Sequence, residues 1–186
     1  MKFKIISILL TCGILAGCVA HTEKLYSFET AKALTAEDMQ KMDKWISVVN
    51  KSKGFSYQLS KTSNIELLKL VNIEVNKVKY ISDQKLYHKN DYWATPLEFF
   101  KNGGDCEDYA IAKYMILKSY GINKSKMKIA VGYDKKQKDL HSVLIVDMGN
   151  NSVYILDNNT DKLINVKDNV TFKPIYTINE TGFWKH

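Results

Sequence analysis

The sequence predicts an α+β fold in which N-terminal helices pack on an antiparallel sheet. From residue 35 onward, apolar residues first recur every three or four positions, which is typical of helices with one buried face. After Gly121 the pattern changes to short apolar runs separated by turn residues, which is typical of strands. Helices that precede strands along the chain indicate an α+β domain. The length of 186 residues suits one core and is too short for two comfortable domains.

Residues 1–17 have the features of an export signal. Two lysines precede an apolar run that is shorter than the roughly 20 residues of a membrane span. The motif LAGC, ending at Cys18, resembles the lipobox of bacterial lipoproteins, which implies cleavage before Cys18 and a lipid on that cysteine. Val19, which is not acidic, follows, and this favours the outer membrane. We therefore predict a signal peptide at 1–17, a lipidated tether at 18–34 and a periplasmic domain at 35–186; plain secretion is the alternative.

Two amphipathic helices are predicted in the first part of the domain. The first begins after a cap at Thr35 and ends near residue 54, and the second runs from Asn64 to about residue 80. Asn72 and Asn76 lie off the apolar stripe of the second helix, where they could hydrogen-bond neighbouring loops. The residues expected to face the core are Met39, Met42, Trp45, Ile46, Val49, Ile65, Leu68, Val71, Val75 and Val78.

A third long helix is predicted to begin near Asp105 and to end at Gly121, which places Cys106 in its first turn. Before it, residues 82–95 show no sustained period and are expected to form an ordered loop, and Pro96 starts a short helix. The unpaired amide hydrogens and the positive end of the helix dipole favour a thiolate at the first turn.

Cys106 is the only cysteine expected in the folded domain, because Cys12 leaves with the signal and Cys18 is lipidated. Exported proteins usually pair or avoid cysteines, so an unpaired one indicates a reactive thiol or an intermolecular bridge. Its position after paired glycines at a helix start makes it a nucleophile candidate rather than an inert buried thiol. The acidic residues in the same run, GGDCEDYA, oppose this because their charges would raise the pKa of the thiol.

Four strands are predicted after the third helix, at residues 127–133, 141–147, 152–158 and 171–178. Gly149-Asn150-Asn151 is a strong turn signal. A hairpin folded about it places His141 opposite Asp157 on one face, with Cβ atoms roughly 5 Å apart, whereas a slip of one residue would separate them. If this edge packs against the helix of Cys106, the three side chains could form a nucleophile, a base and an orienting acid.

The charge pattern argues against a nucleic-acid partner. The formal net charge is +7, it falls to +5 without residues 1–17, and all 27 basic residues are lysines. Arginine is the usual side chain for phosphate and guanine. The lysines are therefore expected to be solvated, with some attraction to anionic surfaces.

Several ordered motifs resemble the bacterial transglutaminase-like cysteine proteinases, and the similarity extends from about Leu67 to Trp184. The motifs are DYWATPLEFF at 91–100, GGDCEDYAIAKY at 103–114, HSVL at 141–144, LDN at 156–158, KPIY at 173–176 and GFW at 182–184. The resemblance implies a papain-like, transglutaminase-like core for residues 35–186. It also implies that Cys106 is the nucleophile, His141 the general base and Asp157 its orienting acid, in peptide hydrolysis through a thioester.

The same resemblance implies a calcium site and a substrate class. Asp105 and Glu107 match acidic residues that bind Ca²⁺ in this family, and Asn90, Asp91 or backbone carbonyls could complete the site. The family's usual substrate is a large biofilm adhesin, and a membrane receptor that responds to cyclic di-GMP restrains the protease. The lipobox at Cys18 departs from typical members, which are soluble in the periplasm.

Three functions remain open on the sequence. The first is a calcium-dependent cysteine endopeptidase that acts on a surface adhesin. The second is acyl transfer to an amine, since transglutaminases share the Cys-His-Asp set. The third is an inert lipoprotein that uses the fold only to bind a partner.

Overall fold

In the computed structural model, which describes residues 36–55 and 64–186, five α-helices precede six β-strands. The helices are α1 (Ala36–Lys51), α2 (Asn64–Asn76), α3 (Asp83–Leu86), α4 (Pro96–Asn102) and α5 (Cys106–Ser119). The strands are β1 (Met127–Asp134), β2 (Asp139–Asp147), β3 (Val153–Leu156), β4 (Ile164–Asn165), β5 (Phe172–Asn179) and β6 (Gly182–Lys185). The signal peptide, Cys18 and the Thr35 cap lie outside the described residues. Within those residues, no helix combines the length and the apolar character that a membrane crossing requires.

The strands form one antiparallel sheet with the order β4-β3-β2-β1-β5-β6. Helix α5 packs against β2 and β1, and α2 packs on α5, so helices cover one face of the sheet. The buried core between them includes Leu68, Val71, Phe99, Ile111, Tyr114, Leu117, Ile129, Leu144 and Leu156. Burying each such side chain contributes roughly 1.5–3 kcal/mol. The α+β prediction is confirmed.

Helix α1 buries a narrower stripe than predicted. Trp45 and Val48 are buried, but Met39 is 53% exposed and Ile46 is 47% exposed. Met39 and Ile46 are seven positions apart and therefore share a face, which points away from that of Trp45 because each residue adds a rotation of about 100°. The apolar spacing predicted the helix correctly and assigned these two residues to the wrong side.

Helix α2 ends at Asn76, about four residues before its predicted end. Its buried face includes Leu68, Val71 and Val75, as predicted, and also Asn72. Ile65, in the first turn, is exposed.

The β2–β3 hairpin forms as predicted, but its register differs. Residues 149–151 all have positive φ, and Leu144 lies opposite Leu156. The predicted register, with His141 directly opposite Asp157, is wrong by two residues because the turn is centred one residue later. A shift of two keeps both side chains on one face, since strand side chains alternate with a period of two.

Two edge strands were not predicted. β4 has two residues and β6 has four, and both lie at the ends of the sheet. Such short segments carry too few apolar positions to establish a period.

Candidate active site

A tight connection between α4 and α5 places Cys106 at the first position of a helix. Gly103 has a φ of 86°, and a Cβ there would lie 2.5 Å from the carbonyl oxygen of Lys79, so only glycine allows this approach. Next to it, Gly104 forms a parallel β-bridge with Tyr80. The chain segment that precedes α3 therefore lies beside the nucleophile candidate.

Asp108, in the first turn of α5, fixes the surroundings of this helix start. Its Oδ2 accepts the Asp105 N–H at 3.2 Å, and its Oδ1 accepts the Ala94 N–H at 2.7 Å. Burial raises the pKa of Asp108 to about 8, and the carboxylates of Asp105 and Asp83 add to the increase. The loop before α4 is thus joined to α5 through a buried acid.

The Cys106 thiol is half-buried and donates a hydrogen bond to Glu107 Oε2 at 3.3 Å. Burial raises the pKa of this thiol far above its usual value, and the charges of Glu107 and Asp105 raise it further. A hydrogen bond with the Ser142 hydroxyl opposes the increase. With these carboxylates ionised and uncompensated, the thiol is therefore neutral rather than a thiolate.

His141 and Asp157 form a buried pair. The distance from His141 Nε2 to Asp157 Oδ1 is 2.8 Å, and both side chains are buried. Burial raises the pKa of Asp157, but the hydrogen bond and the charge of His141 outweigh it, so the carboxyl pKa lies below its usual value. Asp157 is therefore an anion at neutral pH and accepts the Nε2–H. This leaves Nδ1 of the ring as the basic nitrogen.

Asn159 adds to this pair from the turn that follows β3. Its backbone N–H donates to Asp157 Oδ1 at 2.9 Å, and its side-chain amide lies 3.0 Å from His141 Nε2. The ring of Phe172 meets the imidazole edge to face, with centroids 6.3 Å apart. Packing against Phe172 and the hydrogen bond to Asp157 together fix the plane of the ring.

The structure therefore brings His141 and Asp157 together as the sequence predicted, through a different register. Cys106 meets the same strand through Ser142, the residue that follows His141. The hydrogen bond that the thiol donates goes to Glu107. The thiol is thus hydrogen-bonded to Glu107 and Ser142, whereas the His141 ring is hydrogen-bonded to Asp157, so the described residues do not bring the sulfur and the imidazole into contact. A proton transfer from sulfur to imidazole would require the two groups to come together.

Five carboxylates gather beside Cys106, and we call them the acid cluster: Asp83, Asp91, Asp105, Glu107 and Asp108. Ligand atoms of Asp83, Asp91 and Glu107 all lie within 4.8 Å of one another, and so do those of Asp83, Asp105 and Asp108. Burial, followed by the charge of Asp105, raises the pKa of Glu107 well above its usual value. Burial also raises the pKa of Asp83 to about 6. Like charges in a poorly solvated site resist ionisation together.

Among the residues that the structure describes, two buried oxygens of the acid cluster have no hydrogen-bond partner: Asp83 Oδ1 and Asp105 Oδ1. Buried polar atoms are usually paired, so such atoms require an explanation. Calcium prefers six to eight oxygen ligands at 2.3–2.6 Å from flexible carboxylates and carbonyls. The donor set fits a hard dication of this kind, because its charge would compensate the carboxylates and its coordination would use the unpaired oxygens.

Sequence reasoning named three members of the acid cluster for the metal, Asp105, Glu107 and Asp91. It missed Asp83, whose backbone N–H donates to Asp105 Oδ2 at 3.1 Å. The sequence did not indicate Asp83 as a ligand because it lies 22 residues before Asp105, in a segment without periodicity. Asn90, the other suggested ligand, is exposed.

Comparison with known families gives one match over most of the chain. The family model of the bacterial transglutaminase-like cysteine proteinases, BTLCP, matches residues 47–186, which include Cys106, His141 and Asp157. The chain matches no curated protein sequence.

Solved structures of Legionella pneumophila LapG are similar to the chain. The calcium-bound form is 24% identical, with a TM-score of 0.61 over 91% of this chain and 86% of that chain. A second LapG structure is 27% identical, with a TM-score of 0.61 over 90% and 87% of the two chains. An EGTA-treated form is also 27% identical, with a TM-score of 0.61 over 90% and 85%. The calcium-bound structure, at 24% identity, supports the fold alone. The two structures at 27% identity also resemble this chain in sequence.

Proposed function

The chain belongs to the bacterial transglutaminase-like cysteine proteinases, and on this basis we propose that it is a calcium-dependent endopeptidase that cuts a cell-surface adhesin. A cysteine protease activity is the property of the family. The observation that carries our assignment of roles is the buried hydrogen bond of 2.8 Å between His141 and Asp157. It lies on the strand that contacts the helix start bearing Cys106.

The proposed reaction begins with transfer of the Cys106 proton to Nδ1 of His141. The sulfur then attacks the carbonyl carbon of the scissile peptide, and the resulting imidazolium protonates the leaving nitrogen as the C–N bond breaks. This leaves a thioester on Cys106. A water molecule, deprotonated by His141, attacks the thioester. As the C–S bond breaks, the imidazolium returns the proton to the sulfur, and the carboxylic acid product and the free Cys106 thiol are released. Asp157 keeps the ring oriented and stabilises its positive charge throughout.

Calcium is the cofactor that the acid cluster fits. Asp105 and Glu107 would hold it together with Asp83 and Asp91, because ligand atoms of Asp83 lie close to those of Asp91 and Glu107 and also to that of Asp105. When bound, it would supply positive charge beside the sulfur and so offset the carboxylates that oppose thiolate formation. The existence of calcium-bound and EGTA-treated forms of LapG supports this choice of metal.

We further propose the partners from the family resemblance and the location from the lipobox that ends at Cys18. The substrate would be a large adhesin, a receptor that responds to cyclic di-GMP would restrain the enzyme, and a lipid on Cys18 would hold it at the periplasmic face of the outer membrane. Cys18 lies outside the described residues, so these points rest on the sequence motifs.

The test is to incubate the purified chain with adhesins of the source bacterium, with calcium or with EGTA, and to analyse products by mass spectrometry. We expect two fragments whose masses add to the substrate plus one water, only with calcium. The Cys106→Ala variant should give neither. Isopeptide products would replace hydrolysis by acyl transfer, and an unmodified substrate with every adhesin would favour an inert binding protein.

A further inference from the structure

Two asparagines of α2 hold the segment that carries Asp157. The Asn76 Nδ2 donates to the carbonyl oxygen of Asp157 at 3.1 Å, to that of Thr160 at 3.1 Å and to Asp161 Oδ1 at 3.0 Å. Asn72, one turn earlier, donates to the same carbonyl of Thr160 at 2.8 Å. One face of a helix is therefore hydrogen-bonded to residues 157–161.

This segment depends on such contacts because it has no regular structure of its own. β3 ends at Leu156, and the chain then leaves the sheet through a turn. Carbonyl groups outside helices and sheets need other donors when they are shielded from water. The side chain of Asn76 provides a donor at the residue that orients the imidazole.

We propose that Asn76 is a positioning residue of the protease, which sets the place of Asp157 and through it the orientation of His141. The inference rests on the proposed function, because it assigns Asn76 a role only if the His141–Asp157 pair acts in catalysis. Asn72 acts in the same way on Thr160, three residues farther along, so its influence should be smaller.

The chemistry of the amide explains why asparagine suits this position. Its NH₂ group offers two hydrogens, which are shared among three oxygen acceptors. An aspartate in its place would keep the shape but present a carboxylate to these oxygens, one of which belongs to Asp161. Because Asn76 is in the last turn of a helix that packs on α5, the donor is held by a rigid element.

A buried lysine on α5 lies in the electrostatic neighbourhood of the same segment. The side chain of Lys113 is fully buried, and its Nζ has no hydrogen-bond partner among residues 36–55 and 64–186. Burial lowers the pKa of Lys113 to about 7, while the carboxylates of Asp157 and Asp161 oppose the decrease. The helices α2 and α5 thus place two asparagine donors and a lysine side chain near residues 157–161, the segment that contains Asp157.

The test measures the alkylation rate of Cys106 by iodoacetamide in the full-length chain with calcium, read on the Cys106 peptide by mass spectrometry. The variants are Asn76→Ala, Asn76→Asp, Asp157→Asn and Asn76→Ala combined with Asp157→Asn. Asn165→Asp is the matched control, because the Asn165 side chain caps the short helical turn at Val166–Asp168 by accepting the Lys167 N–H, which an aspartate also accepts, and its backbone pairing with Tyr154 is kept. Proton NMR follows the low-field resonance of the His141 Nε2–H in each variant.

We expect Asn76→Ala to slow alkylation about tenfold, as for the loss of a hydrogen bond that holds a reacting group, and to shift or broaden the low-field resonance. Asn76→Asp should slow it more, and Asn165→Asp should leave it unchanged. In the Asp157→Asn background, Asn76→Ala should add nothing, since both changes act through one carboxylate.

The inference alone is overturned if Asp157→Asn slows alkylation while Asn76→Ala keeps the wild-type rate and resonance. It is also overturned if Asn76→Ala slows the reaction equally in the Asp157→Asn background, because the effect would then be a general structural one. If both Asp157→Asn and His141→Ala kept the wild-type alkylation rate, the His141–Asp157 pair would have no catalytic role. The proposed function would then be wrong as well.

Discussion

The two groups of ionisable residues around Cys106 differ in how completely their polar atoms are paired. In the His141–Asp157 pair, the carboxylate accepts from the imidazole and from the Asn159 N–H, and its pKa is lowered. In the acid cluster, Asp83 and Asp105 each keep a buried oxygen that has no partner within residues 36–55 and 64–186, and the pKa values of the neighbouring Glu107 and Asp108 carboxyls are raised. One group is complete within the protein, whereas the other has the character of a site that needs a cation.

This difference separates the two tasks of the site. The complete pair needs only rigid packing to hold an imidazole ready for proton transfer. The incomplete cluster opposes a charge on the adjacent sulfur until something offsets it. We therefore expect the reactivity of the Cys106 thiol to depend on whether a cation occupies the acid cluster. The position of the His141 ring should not depend on it.

Removing the base, His141, should have the largest effect and tests whether the two groups are independent. We expect His141→Ala to lower the rate of substrate cleavage roughly 10²–10⁴-fold, the usual contribution of a general base. Calcium affinity, measured by isothermal titration calorimetry, should stay at the wild-type value. A loss of calcium affinity in this variant would show that the two groups are not independent.

Removing a carboxylate from the acid cluster should have the next largest effect. Asp83→Asn is expected to weaken calcium binding by about tenfold or more, because charged oxygen ligands set the affinity of such sites. In the wild-type chain, EGTA should lower the melting temperature, since a ligand bound only to the folded state stabilises it. Asp83→Asn should show a smaller change, and Asp168→Asn, an exposed acid elsewhere, should behave as wild type. Equal melting temperatures with and without EGTA in the wild-type chain would count against a calcium site.

Lys113 offers a contrast with both groups, because it is a buried cation without a hydrogen-bond partner in the described part of the chain. Its pKa falls from 10.5 to about 7 on folding. Between these two values the unfolded state binds more protons, so the free energy of unfolding should rise with pH from about 7 to 10.5. Below pH 7 the lysine is charged in both states and the cost of burying its charge is fully present.

Lys113→Met is therefore expected to stabilise the fold by about 1–4 kcal/mol near pH 6 and progressively less as the pH approaches 10. Urea unfolding of both proteins across this range measures the difference. A gain that stayed constant with pH would mean that the ammonium carries no such penalty.

The smallest expected effect concerns Lys44, which forms a salt bridge with Asp91 at the exposed edge of the acid cluster. Surface ion pairs contribute about 0–1 kcal/mol, so Lys44→Ala should hardly change thermal stability. It should increase calcium affinity severalfold, because it removes a competing positive charge from a ligand. Lys69→Ala, which breaks an exposed pair on α2, is the matched control. Weaker calcium binding in Lys44→Ala would exclude Asp91 as a ligand.

The helices, the long strands and the proximity of His141 to Asp157 could be predicted from the sequence. Periodic apolar residues determine which segments form these elements, and the turn after β2 brings the two side chains to one end of the hairpin. The predicted register of the β2–β3 hairpin differs from the observed one by two residues because the sequence does not say which of the three turn residues is central. A shift by an even number of residues keeps His141 and Asp157 on the same face, which is why the two side chains still meet.

Asp83 and the burial of α1 could not be predicted for a different reason. The place of Asp83 depends on a bridge between Tyr80 and Gly104, two residues far apart in sequence and without periodic neighbours. On α1, Met39 and Ile46 are as apolar as the buried Trp45, and the choice between faces depends on where the remaining chain packs. Both features depend on tertiary contacts, which the local pattern of apolar residues does not indicate.

The close approach at Gly103 makes one glycine a shared weak point for two distant parts of the chain. Any side chain there would collide with the carbonyl oxygen of Lys79 and press against the side chain of Ile81, so the backbone at Lys79 would have to shift. Asp83 would move away from Asp105, and the start of α5 would lose its neighbour. A single added methyl group, bearing no charge, would thus separate two carboxylates of the acid cluster and displace the start of the helix that carries Cys106.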